Sequence, residues 1–185
     1  YSILDCIYHA RYATRDVVQV AIFTPTTESS CKTRLGVLHH RGFLKTRPRS
    51  DPRWPFIYFL GIKGRRYIAQ KHGLQVDFVT KVSGVNSTAD NHDLFMEHDL
   101  ALSSIYAHAT KQARDLGLEL VWRNSRMLEL EKKEVQPDAW IALSRNSKTR
   151  SAFIEFTRVL PTEEEWKRKI DGYSTILGQT TPILW

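Results

Sequence analysis

Between Ile3 and Ala69 the sequence packs three short helical patterns, a basic proline-containing hairpin and the start of a fourth helix into about seventy residues, and that order restricts the fold more than any other feature of the chain. Ile3, Leu4, Ile7 and Tyr8 recur at helical spacing. Thr14 can cap a second helix that carries Val17, Val18, Ala21 and Ile22 on one side, and Pro25 ends it. Ser29 or Ser30 can cap a third, with Cys31, Leu35 and Leu38 as its buried stripe and Gly42 as a left-handed stop. A strand pattern follows over residues 42–45. Residues 47–55 read as the hairpin tip, 56–60 as the returning strand, and Lys63 to Ala69 as the fourth helix.

Charge follows the same division. Residues 1–72 hold thirteen Lys and Arg against four Asp and Glu, a net charge of +9, whereas residues 73–185 hold fourteen against sixteen, a net charge of −2. A concentrated positive field beside a near-neutral remainder attracts a polyanion, and a phosphate backbone is the commonest one. Helix, helix, helix, basic hairpin, helix is the order of winged-helix regulators, and residues 58–64 resemble their usual wing exit. On the third helix Ser29, Lys32, Thr33, Gly36 and His40 gather opposite the buried stripe. A small, polar, basic helix face of this kind suits the major groove of double-stranded DNA, and the glycine lets the backbone approach closely. At the hairpin tip Arg47, Arg49 and Arg53 are expected to straddle the backbone or enter a minor groove, with Lys63 and Arg65 adding positive charge behind them. The competing reading of both features is a solvated basic surface.

No apolar run approaches the eighteen or so residues needed to span a bilayer, and no signal peptide opens the chain, so a cytoplasmic protein without membrane contact is expected. Cys6 and Cys31 lie among helix-patterned apolar residues without further ligands at metal spacing, which favours packing over a disulfide or a metal. The chain begins at Tyr1 rather than Met, so residues before it are expected to have been trimmed, left out or lost.

From Gly73 to Asn91 Ser, Thr, Gly, Asn and Asp predominate among isolated apolar residues, and residues 73–96 read as a linker. After it His98, Leu102, Ile105, Ala109, Ala113 and Leu116 follow one face of a long helix that stops at Gly117. Three strands are predicted over 118–122, 137–143 and 152–157, then a closing helix over 162–177. Helix, three strands, helix is an α/β layer arrangement.

The pair Pro137-Asp138 and the run Glu155-Phe156-Thr157, on successive predicted strands, resemble the PD-(D/E)XK signature of the restriction-endonuclease-like fold. With the preceding winged helix, the His98-Asp99-Leu100-Ala101-Leu102 helix start, and Lys169 and Tyr173 in the last helix, the chain is similar to the replication-relaxation family of bacterial plasmids and mobile elements. The resemblance implies an α+β protein: a winged helix-turn-helix domain over 1–72 and a small α/β restriction-endonuclease-like domain over 97–185. In active relatives of that fold two carboxylates hold Mg²⁺ and a lysine two residues after the second steadies the nucleophile. Asp138 and Glu155 are the corresponding metal and catalytic candidates. Thr157 stands at the lysine position, which leaves Lys169 as a migrated cation, with Glu97 and His98 as weaker contributors. A turn role for Asp138, a solvent-facing Glu155 and a core His98 are the structural alternatives.

Three functions are therefore open. The first is a DNA-binding protein of a plasmid or mobile element, acting in replication, transfer or relaxation, whose nuclease-like domain cuts weakly or not at all. The second is a Mg²⁺-dependent endonuclease or nickase targeted by its winged helix. In the third, a transcriptional regulator, the second domain makes a homodimer that reads two symmetric half-sites.

Overall fold

A computed structural model describes residues 2–23, 28–49, 51, 53–83, 92–128, 135–157, 160–177 and 183–184. The chain is mixed α and β and divides into two compact units, Tyr1–Gln112 and Ala113–Trp185. No helix among the described residues is long and apolar enough to cross a membrane.

The first unit opens with α1 (Ile3–Ala10), α2 (Arg15–Ile22) and α3 (Glu28–His40). Ser2 caps α1 in a reciprocal box with Asp5, and Thr14 caps α2 by accepting from the Val17 amide, each satisfying an otherwise orphaned donor of the first turn. Pro25 lies outside the described residues. Ser29 and Ser30 sit inside α3 rather than at its cap. At its far end Gly42 takes φ +77°, and the amides of Gly42 and Phe43 bond back to the carbonyls of His39 and Leu38. Only glycine adopts that conformation without a Cβ penalty, so α3 stops there. Cys31 and Leu35 are fully buried, as their stripe requires.

The hairpin pairs β1 (Leu44–Arg47) with β2 (Ile57–Leu60) antiparallel, Leu44 opposite Leu60 and Arg47 opposite Ile57. Ala13, between α1 and α2, adds a bridge to Tyr58 through two backbone hydrogen bonds of 3.0 and 2.8 Å. A two-stranded hairpin is marginal alone. Here the bridge ties its returning strand to the first helix pair. The next helix, α4 (Ile62–His72), needs Gly64, because a Cβ there would lie 2.2 Å from the Phe43 carbonyl oxygen.

Asp5, in α1, also receives Lys71 and His72 from the end of α4, the His72 Nε2 at 2.9 Å. Burial opposes its ionisation, but hydrogen bonds from Lys71, Ser2 and His72 prevail and hold the carboxyl well below the ordinary carboxylate range. A carboxyl whose folded pKa is depressed contributes stability above its unfolded pKa and loses it as pH falls. The first unit should therefore lose stability as pH drops below about 4. Asp5→Asn should flatten that acid limb and cost about 1–3 kcal/mol at neutral pH, which circular dichroism across a pH series would measure. An unchanged acid limb would show that Asp5 does not link α1 to α4 energetically.

Part of the sequence read as linker is structured. α5 (Val76–Val82) buries Val79 and Val82; residues 84–91 lie outside the described residues. The long helix, α6 (His92–Asp115), starts earlier than its apolar pattern suggests, and its residues up to Gln112 group with the first unit rather than opening the second. Its buried side also differs. Ile105 and Leu116 are exposed, while Met96, Asp99, Leu100, Leu102, Ser103, Tyr106, Thr110 and Ala113 are buried. Three of these are polar, so counting apolar residues alone rotates the stripe. Asp99 is buried because Arg11 meets it at 2.9 Å, and Met96 and Leu100 pack with Ile57 and Tyr12.

In the second unit β3 (Glu119–Asn124), β4 (Ala139–Arg145) and β5 (Lys148–Ile154) form an antiparallel meander. After α7 (Glu163–Leu177) a short β6 (Ile183–Leu184) joins β5 in parallel, and a parallel return requires a crossover, which α7 supplies. Thr162 caps α7 in a reciprocal box with Glu165. β5 ends one residue before Glu155, so the strand predicted over 152–157 lies further toward the N-terminus. Its core joins Val135, Phe153 and Tyr173, with Trp140 against them.

Candidate functional site

Two places carry the candidate residues, one in each unit. On α3, Ser29, Lys32, Thr33, Gly36 and His40 are all exposed on one face, where with Val37 and Arg41 they line an open depression of about 750 Å³. The sequence reading missed those last two, although both follow from the same helical rotation. Cys31 and Leu35 anchor the opposite side, so burial fixes which way this face points. The Thr33 hydroxyl donates to the Ser29 carbonyl at 2.9 Å, which leaves its oxygen lone pairs outward as acceptors. Gly36 stands mid-helix with nothing within 4 Å of where a Cβ would be. Nothing in the fold requires a glycine there.

The hairpin arginines do not act alike. Arg47 ends β1 exposed. The Arg53 side chain is 87% exposed and grips Asp51, the closest pair 2.7 Å apart, and its hydrogen bonds hold the Asp51 carboxyl below the usual range. Arg49 is different: its side chain is only 15% exposed, it meets Glu97 at 2.6 Å, and its guanidinium lies 4.0 Å above the centre of the Trp54 ring. An arginine so enclosed is held by protein rather than extended toward solvent. Behind the hairpin Lys63 is exposed, while Arg65 is half-buried and reaches the Thr80 hydroxyl at 3.5 Å.

In the second unit Glu155 is buried. One of its oxygens accepts from Lys169 at 2.7 Å and the other from the Tyr173 hydroxyl. Burial first, then the hydrogen bond to Glu155 and the charges of Glu155 and Asp138, push the Tyr173 hydroxyl pKa up, so the phenol stays a donor. Asp138 precedes β4, and its Oδ2 accepts the Phe156 amide at 2.8 Å across the strand ends. Lys169 thus reaches inward from α7 to the carboxylate. Thr157 is half-buried just beyond β5. Glu97 and His98 belong to the first unit, where Glu97 holds Arg49 and the His98 ring stands 4.0 Å from Asp99.

Mg²⁺ does not fit this cluster as its donors are arranged. Both Glu155 oxygens are engaged, one Asp138 oxygen holds a backbone amide, and no group of three or more metal-ligating side chains occurs among the described residues. A hard divalent ion needs several oxygen donors, and binding here would first have to displace an ammonium and a phenol from Glu155.

No curated protein and no solved structure matches the chain significantly. The sequence model for replication-relaxation proteins, by contrast, matches residues 4–182. That span covers the α3 face, the hairpin and the buried Glu155 cluster alike, and by this match the chain belongs to the replication-relaxation family.

Proposed function

We propose that this chain is a sequence-specific DNA-binding protein of a plasmid or mobile element that acts in the replication, transfer or relaxation of DNA. In this reading residues 1–72 form a winged helix-turn-helix with α3 in the major groove of double-stranded DNA, and the C-terminal unit is a restriction-endonuclease-like scaffold that does not cut. The observation that carries it is the exposed polar and basic face of α3, backed by buried Cys31 and Leu35. The bridge from Ala13 to Tyr58 supports it, since it joins the first helix pair to the hairpin, and so does the net charge of +9 over residues 1–72. The engaged oxygens of Glu155 favour a scaffold over a metal-dependent nuclease.

Anisotropy titrations of the full chain with labelled duplexes, over a salt series, test this. Affinity should fall steeply with salt as condensed counterions are displaced. Lys32→Ala combined with Thr33→Ala should weaken specific binding by about 1–3 kcal/mol, roughly 5- to 150-fold. Gly36→Ala should act in two directions. It should stabilise the fold by about 0.5–1 kcal/mol, because a mid-helix glycine costs that much relative to alanine, yet weaken binding where its Cβ meets the groove wall. A chain with no duplex affinity at low salt would remove the proposal, and a Gly36→Ala variant that binds as tightly as the parent would take α3 out of the groove.

A further inference from the structure

We infer that the Trp54 indole at the hairpin tip is an apolar wedge for a base step of duplex DNA, held in place by Arg49 and Glu97; this rests on the DNA-binding reading above. Trp54 is 47% exposed and Phe56 56% exposed, on either side of Pro55, at the tip of a hairpin that also presents Lys45, Arg47 and Arg53. About half of each of these large apolar side chains therefore stays in solvent.

The Arg49 guanidinium lies over the indole at 4.0 Å and is itself gripped by Glu97 from α6 at 2.6 Å. That stack removes a basic group from the hairpin's phosphate-binding set and uses it to fix the ring. Glu97 and Arg49 are therefore positioning residues, and Trp54 is the contact. A side chain both exposed and immobilised pays little ordering entropy on binding.

Charge selects the occupant. Residues 1–72 carry a net charge of +9, so a polyanion is drawn to the tip, and the apolar surface that a duplex can offer an aromatic ring is a partly unstacked base step. Minor-groove proteins insert apolar side chains in this way, bending the duplex to gain contact. The aromatic pair then adds affinity without adding a phosphate contact.

The full chain should be titrated into mixed-sequence duplexes carrying 2-aminopurine at successive positions, whose fluorescence rises when the base unstacks. The parent should raise it at one step of its footprint. Trp54→Ala should abolish the rise and weaken binding about tenfold, whereas Trp54→Leu, a smaller apolar wedge, should keep only part of the rise, and both should leave the dependence on salt unchanged because no phosphate contact is lost. Glu97→Gln should leave a smaller rise, whereas Lys32→Ala with Thr33→Ala should weaken binding yet keep the full rise at saturation. If the parent binds and no position responds, or if both Trp54 variants behave as the parent does, the wedge is wrong and the DNA-binding reading stands. If the parent fails to bind any duplex at low salt, both fall together.

Discussion

Arg11→Met should destabilise the first unit by about 3–5 kcal/mol, the cost of leaving one member of a buried ion pair without its partner. Arg11 and Asp99 side chains are 10% and 12% exposed and meet at 2.9 Å, so water cannot replace the lost guanidinium. Against a typical stability of about 5–15 kcal/mol such a loss removes a large share, and a denaturant titration would show it as a lower midpoint. The companion variant Arg11→Met with Asp99→Leu separates pairing from packing. Apolar pairs of similar volume often replace buried ion pairs at little cost, so the double variant should recover most of the loss. A single variant within about 1 kcal/mol of the parent would be at odds with the burial of this pair.

Lys169→Met should cost the second unit about 2–4 kcal/mol, somewhat less because the Lys169 side chain is 28% exposed whereas that of Glu155 is 4% and partial solvation softens the loss. Glu155 would keep only the Tyr173 hydroxyl. Lys169→Met with Glu155→Gln should restore stability at neutral pH. Incubation of supercoiled DNA with the parent and Mg²⁺ or Mn²⁺ supplies the chemical arm: intact DNA is expected. Robust cutting by the parent, lost in Asp138→Ala and Glu155→Ala, would overturn the scaffold reading and establish these carboxylates as metal ligands.

Much of the first unit could be read from local pattern. Thr14 as a cap, Gly42 as a stop and the outward face of α3 follow from one helix and its neighbouring residues, because capping and 3.6-residue periodicity are short-range properties. Cys31 and Leu35 are buried as that periodicity demands, and burial pushes the Cys6 thiol up to about 12, in keeping with a packing role. The family was likewise legible, since short motifs spread from His98 to Tyr173 do not depend on knowing the packing.

What the sequence could not supply was partnership between distant residues. Arg49 counts as one more basic group at a hairpin tip until Glu97, forty-eight positions later, takes its guanidinium. Glu97 in turn looks like a spare carboxylate until that contact is seen. The α6 stripe was misplaced for the same reason: Asp99 enters the buried side only because Arg11 compensates its charge, and hydropathy assigns a charged residue to solvent. Glu155 could be read as a solvent-facing carboxylate until the packing of α7 brought Lys169 and Tyr173 to its two oxygens. Local periodicity placed α1 to α3 and the outer face of α3. Long-range charge compensation decided which ionisable side chains were enclosed and which stayed exposed.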